Sequence, residues 1–311
     1  MSSDSNSSVS LAVDIGSLRL QNPILVASGT FGYGAEFVDL VDLGRLGGIV
    51  VKGLSLHVEV GNKPPRIAET TSGMLNSIGL QNVGVEAFLE EKLPPLRQQG
   101  ATVVANIWGR SIEEYVGVAE RLGDADGLAA LELNISCPNI KEGGINFGKD
   151  PILTERVTAA VKAASGLPLW VKLSPNVTEI SELALAAEAG GADALSVINT
   201  LRGMTVDVTS RRPTLASKFG GLSGPAIFPV ALYMVHEVRR VTSLPILGIG
   251  GIDCLDRVLQ FLIVGANAVQ VGTANFYDPT LSARLIDELA EWCGEAGLAA
   301  VTELIGTLRV P

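Results

Sequence analysis

Short apolar runs alternate with amphipathic stretches from Leu11 to about Gly294. Two short runs, 11–13 and 18–20, flank Asp14-Ile15-Gly16-Ser17 and predict a hairpin ahead of the repeats. Eight apolar strands are then expected, at 24–27, 48–52, 102–106, 128–134, 169–173, 194–198, 246–249 and 268–271. Helical spacing follows each of them: 35–43, 85–97, 111–122, 151–164, 180–189, a segment beginning near Pro225, 255–264 and 281–292. Two starts carry capping chemistry, a Ser-x-x-Glu box at Ser111 and an Asp150-Pro151 pair.

The strand runs are apolar throughout rather than alternating, as parallel strands buried on both faces are. Eight strand–helix units in a chain of 311 residues predict an α/β fold, a (β/α)8 TIM barrel with an N-terminal hairpin. A doubly wound sheet is the alternative, but no G-x-G-x-x-G follows the first strand. No linker-like break divides the chain, so residues 11–311 are expected to form one domain behind a serine-rich, disordered tail, 1–10. The longer connections after strands two, four and six fall on the carboxyl-end face and are expected to cover its mouth as a lid.

Composition narrows the function classes. A net charge of -10 argues against a nucleic-acid binder, which needs a basic face. Three scattered cysteines, Cys137, Cys254 and Cys293, contain no C-x-x-C, and two histidines cannot build a histidine-rich metal centre. No metal site and no iron–sulfur cluster are expected within this chain. No apolar run reaches the roughly 18 residues needed to span a bilayer, and no signal peptide is evident. The expectation is a cytoplasmic protein without membrane attachment.

Candidate chemistry collects at the ends of the strands. Gly250-Gly251 ends strand seven and Gly272-Thr273 ends strand eight, with Gly224 ahead of the helix near Pro225. Backbone N–H groups there suit a phosphate, although glycine ends many ordinary barrel turns. Ser28, Lys52, Asn76, Asn106, Asn134, Cys137, Lys172 and Asn199 stand at or just past strand ends. Lysines in buried strands are unfavourable unless paired or ligand-bound, the bland alternative being a side chain that snorkels to water. Lys52 and Lys172, at equivalent positions, suit an anionic ligand; the asparagines suit a heterocycle with alternating N–H and C=O edges. Cys137 is either a small buried hydrophobe or a nucleophile or base. No chemistry attaches to Cys254 or Cys293.

Three motifs, Asn134-Ile-Ser-Cys137-Pro-Asn139, Met74-Leu-Asn76-Ser-Ile-Gly-Leu-Gln-Asn82, and Arg211-Arg-Pro through Gly220-Gly-Leu-Ser-Gly-Pro225, resemble dihydroorotate dehydrogenase over nearly the whole chain. The stretch Asn139-Ile-Lys141-Glu-Gly143-Gly144-Ile-Asn-Phe147-Gly148 is similar to the NAD-linked class 1B catalytic subunit. Cys137 disfavours the quinone-linked, membrane-bound class, which has serine there. Departures are Thr71 and Val83 where prolines are usual, Trp108 where a small residue is usual, and Phe228 and Tyr233 in place of basic residues.

The resemblance implies FMN across the barrel mouth, its phosphate on Gly250, Gly251, Gly272 and Thr273. Ser28, Lys52, Gly53, Asn106, Asn134, Lys172, Ile198 and Gly224 are implied along the rest of it. Dihydroorotate is implied to pair its carboxylate with Lys52 and to meet Asn76, Ser77, Ile78, Gly79, Leu80, Asn134, Asn199 and Thr200. The implied catalytic groups are Cys137, the base at C5 as hydride leaves C6 for flavin N5, and Lys172, a cation toward the pyrimidine part of the flavin. Also implied is an electron-transfer subunit with FAD and a 2Fe–2S cluster, in a heterotetramer of two catalytic and two such chains, passing electrons to NAD. A fumarate-using class 1A enzyme, a flavin barrel for another pyrimidine and a non-catalytic phosphate-binding barrel stay open as alternatives.

Overall fold

The computed structural model describes residues 9–136 and 147–310. The chain opens with an antiparallel hairpin, β1 (Val13–Ile15) and β2 (Leu18–Leu20). Gly16 in its turn abuts Asp193, the residue before a barrel strand, so the hairpin sits at the amino end of the barrel. The strands that follow are β3 (Ile24–Val26), β4 (Gly48–Val50), β5 (Ile67–Thr70), β6 (Gly73–Asn76), β7 (Val103–Ile107) and β8 (Leu128–Asn134). Next come β9 (Leu169–Lys172), β10 (Ala194–Val197), β11 (Leu201–Gly203), β12 (Val206–Asp207), β13 (Arg212–Pro213), β14 (Gly220–Ser223), β15 (Ile246–Ile249) and β16 (Ala268–Val271).

Eight of these, β3, β4, β7, β8, β9, β10, β15 and β16, close into a parallel barrel, β16 pairing back onto β3. The helices between them are α1 (Val85–Ala87), α2 (Leu93–Gln98), α3 (Ile112–Gly123), α4 (Pro151–Ala164), α5 (Ile180–Ala189), α6 (Phe228–Arg239), α7 (Leu255–Val264) and α8 (Leu281–Glu295). Their caps follow from sequence. Ser111 Oγ accepts the Glu114 N–H at 3.3 Å, and Asp150 Oδ1 accepts from Ile152 and Leu153. Gly265, left-handed at φ 112, ends α7. No helix among the described residues is long and apolar enough to cross a membrane.

Two helical expectations need correction. Residues 35–43 form no continuous helix, only 3₁₀ turns at Ala35–Phe37 and Leu43–Arg45. Gly34 at φ 94 offers no side-chain cap to the first turn, and Asp42 restarts the chain by capping the second. Between α1 and α2 the chain widens into a π-helical turn, Phe88–Lys92. Pro94 and Pro95 follow, and neither carries the N–H that a regular helix would use there.

The expected lid takes a specific form. The connections after β4 and β10 pair with each other in an antiparallel sheet of order β11-β14-β6-β5. Asn76 stands opposite Gly221 and Met74 opposite Ser223. Gly73 permits the approach, since a Cβ there would lie 2.0 Å from the Ser223 carbonyl oxygen. The connection after β8 includes 137–146, outside the described residues, as is the tail up to residue 8.

Candidate active site

Barrel register places the polar residues. Asn134 is the partner of Lys172 across β8 and β9, and Lys172 is the partner of Ser196 across β9 and β10. Asn106 faces Glu132 across β7 and β8. Glu132 and Asn134 are two residues apart and share the inward face. Above this ring, at the carboxyl ends, a cavity of about 400 Å³ opens beneath the four-stranded sheet.

Every position for which the resemblance implied FMN contact lines this cavity: Ser28, Lys52, Gly53, Asn106, Asn134, Lys172, Ile198, Gly224, Gly250, Gly251, Gly272 and Thr273. An adjoining recess of about 160 Å³ is lined by every position implied for substrate: Lys52, Asn76, Ser77, Ile78, Gly79, Leu80, Asn134, Asn199 and Thr200. Cys137 lies outside the described residues. Its neighbour Ser136 borders the recess, held by Asn134 Oδ1 at 3.3 Å and donating to the Lys172 carbonyl at 2.9 Å.

The glycine end is shaped by exclusion of side chains. Gly250 and Gly251 have φ of 135° and 74°. A Cβ on Gly250 would meet the Ala231 Cβ at 2.7 Å, and one on Gly251 the Phe228 Cβ at 2.7 Å. The N–H groups of Gly250, Gly251 and Gly272 donate to no acceptor among the described residues. Arg257 braces the turn from outside, donating to the Gly251 carbonyl at 2.5 Å and pairing with Asp253 at 2.8 Å. Phe228, a departure from the family pattern, packs under Arg257 rather than toward the cavity. Free N–H donors around a cradle that side chains cannot enter fit a phosphate.

The two lysines differ. Lys52 is half-buried and has no carboxylate within ion-pair distance among the described residues. Burial pushes its ammonium below the ordinary lysine range, and the Arg66 charge pushes in the same direction. Lys172 instead has an internal partner, the Glu132 carboxylate at 3.2 Å. Its burial is therefore met by the protein as well as by any ligand.

Glu132 is the residue that the sequence pattern hid, a carboxylate inside an apolar strand run with no exposure at all. Its Oε1 accepts from Asn106 Nδ2 at 2.7 Å and from Lys172; its Oε2 accepts from Ser196 Oγ and Gln270 Nε2, both at 2.7 Å. Burial alone would raise its pKa, but the Lys172 charge and the hydrogen bonds from Gln270, Ser196 and Asn106 outweigh it and hold the carboxyl below its usual range. The signal was available: a Glu and a Lys within neighbouring buried strands predict a pair. Asn106 spends its N–H on Glu132, and its Oδ1 remains buried without a donor. That orphan acceptor fits a ring N–H of a heterocycle.

Asparagines hold the recess. Asn199 Nδ2 donates to Asn134 Oδ1 at 3.3 Å, Asn199 Oδ1 accepts the Thr200 N–H at 2.8 Å, and Asn76 Nδ2 reaches the Gly221 carbonyl at 3.4 Å. Sequence reasoning missed Arg66, Lys149, Asn176 and Arg202 along the walls. Asn176 ties Thr200 and Arg202 together through its amide, at 3.0 and 2.8 Å.

Comparison with known proteins agrees with this geometry. The family model described as dihydroorotate dehydrogenase matches residues 10–292. A protein of Trichlorobacter lovleyi named "Dihydroorotate dehydrogenase B (NAD(+)), catalytic subunit" is 53% identical over 299 residues, covering 96% of this chain and 98% of that one. Proteins of the same name from Geotalea uraniireducens and Solidesulfovibrio magneticus are each 52% identical, covering 96% and 97% of this chain and 98% and 99% of theirs. By the family match across most of its length and by these identities, the chain belongs to the dihydroorotate dehydrogenase family.

Proposed function

We propose that this chain is the catalytic subunit of an NAD-linked dihydroorotate dehydrogenase, oxidising (S)-dihydroorotate to orotate in de novo pyrimidine biosynthesis. The observation that carries the reading is the cavity itself. It joins a glycine cradle with free N–H donors, an orphan acceptor at Asn106 and a half-buried cation at Lys52 with no carboxylate partner among the described residues. Phosphate, heterocycle and carboxylate are the three matching ligand features.

FMN would be held by Gly250, Gly251, Gly272 and Thr273 at its phosphate, with Ser28, Gly53, Asn106, Ile198 and Gly224 along the cavity. When bound, it supplies a two-electron acceptor for hydride leaving carbon. Lys52 Nζ pairs with the substrate carboxylate, and that pairing relieves the burial of its own charge. Asn76, Asn134, Asn199 and Thr200 hold the amide edges, with the backbone of 77–80 closing the recess. Lys172 Nζ offers positive charge where negative charge develops. Cys137 Sγ removes the C5 proton. A thiol ionises near 8.5, so activity is expected to rise with pH through that range unless the site lowers it. Cys137→Ala is expected to abolish turnover, and Cys137→Ser to keep a small activity that grows at high pH. Near-wild-type activity in Cys137→Ala removes the cysteine from this role.

The relatives' name, a catalytic subunit, supports a separate partner. That partner would carry FAD and a 2Fe–2S cluster, two of each chain forming a heterotetramer in the cytoplasm. The barrel, 11–311, would act as one FMN-binding domain.

The test is anaerobic mixing of the purified chain with dihydroorotate. Bleaching of the flavin, with no recovery from NAD or fumarate alone, is the expected outcome. Recovery with fumarate makes this a class 1A-type enzyme without a partner. Bound flavin that dihydroorotate does not bleach overturns the substrate assignment. A colourless chain that takes up no flavin leaves a non-catalytic phosphate-binding barrel.

A further inference from the structure

Barrel interiors are filled mainly by branched apolar side chains. Here one interior layer is polar. Glu132 on β8 receives four donors from four other strands: Asn106 on β7, Lys172 on β9, Ser196 on β10 and Gln270 on β16. Each carboxylate oxygen takes two of them. Asn106 and Lys172 line the cavity, whereas Glu132, Ser196 and Gln270 lie beneath it. The carboxylate therefore borders neither cavity and takes no part in the proposed proton transfer.

Its geometry nevertheless dictates what the cavity sees. By engaging Asn106 Nδ2, it turns the amide so that Oδ1 is left buried without a donor, toward Gly53, whose Cβ would lie 2.8 Å from it. By pairing with Lys172 Nζ at 3.2 Å, it fixes that ammonium and offsets part of its charge at the cavity floor. We propose that Glu132 is a positioning residue that, through Lys172 and Asn106, sets the polarity of the cavity floor and thereby the reduction potential of the flavin bound on it.

The inference rests on the flavin reading above. The sign follows from charge. Reduction adds negative charge to the flavin, so a carboxylate beneath it opposes reduction and a less compensated Lys172 favours it. Glu132→Gln keeps the shape and removes the charge. Ser196→Ala keeps the charge but removes a donor that partly neutralises it, and Ser196 does not border the cavity. The two variants should therefore move the potential in opposite directions. A merely structural loosening would move both the same way.

The measurement is the flavin midpoint potential of the purified flavin-loaded chain, by anaerobic reductive titration against reference dyes. Glu132→Gln is expected to raise the reduced-to-oxidised ratio at a fixed potential about tenfold, a shift of about +30 mV for a two-electron couple. Ser196→Ala is expected to lower it. Shifts of the same sign, or unmoved potentials in both variants with the wild type reduced normally by dihydroorotate, overturn the role of Glu132 alone. If Glu132→Gln retains no flavin, the sign of the Ser196→Ala shift decides. A wild-type chain without flavin, or with flavin that dihydroorotate does not reduce, overturns the functional reading and this inference with it.

Discussion

At the scale of single residues, the two lysines of the cavity make opposite predictions. Lys52 is a half-buried cation with no carboxylate partner among the described residues and a lowered pKa. Between that lowered value and the ordinary one near 10.4, the unfolded chain binds more protons than the folded chain. The penalty from Lys52 is thus complete below the folded pKa and fades as pH rises through this window. Lys52→Met should make the ligand-free chain more resistant to urea by about 1 kcal/mol, while weakening orotate binding by about 2–5 kcal/mol in calorimetry. Equal or lower stability would show that Lys52 is not strained in the ligand-free state. Glu132 behaves in the reverse sense. Its carboxyl is held below the usual value, so its contribution is present above the unfolded pKa and lost as pH falls through the folded one. Glu132→Ala leaves Lys172 uncompensated and should cost about 3–5 kcal/mol at neutral pH. Urea unfolding should show that gap shrinking on acidification.

At the scale of elements, strand ends were legible because glycine, lysine and asparagine interrupt apolar runs there. β8, α4, α5, α7, β15 and β16 lie where periodicity put them. The four-stranded sheet was not legible. β5, β6, β11 and β14 are short and mixed in polarity, and their pairing joins segments more than a hundred residues apart. Glu132 was masked differently, since a run read as apolar conceals one charge whose partners sit on other strands. Gly250→Val must face a φ of 135° and the Ala231 side chain, and should weaken FMN binding about tenfold or more, by fluorescence titration. Gly73→Ala drives a methyl into the Ser223 carbonyl. It should weaken orotate binding while the barrel's thermal midpoint moves by only about 2–4 °C. A collapse of the midpoint would mean that the sheet supports the barrel rather than the recess.

At the scale of the whole molecule, charge is segregated. The chain carries 33 acidic and 23 basic residues, yet Lys52, Arg66 and Lys172 line the larger cavity and Lys52, Lys149 and Arg202 the recess, with no carboxylate among the described lining residues. An anion approaching a protein of net charge -10 is therefore repelled at long range and drawn in at the mouth. Arg202→Glu should slow orotate association several-fold at low ionic strength, with the difference vanishing near 0.5 M salt in stopped-flow traces. An unchanged rate would confine the effect of Arg202 to its stacking on Phe219. Asn76 and the Thr200 segment belong to loops that leave opposite sides of the barrel, yet β6 and β14 are hydrogen-bonded to each other. The roof of the recess is thus a single plate, not a set of fingers. Wherever ligand exchange lifts this roof the plate moves as a unit, so amide protons of β5, β6, β11 and β14 should slow in concert, by one common factor, when orotate is bound.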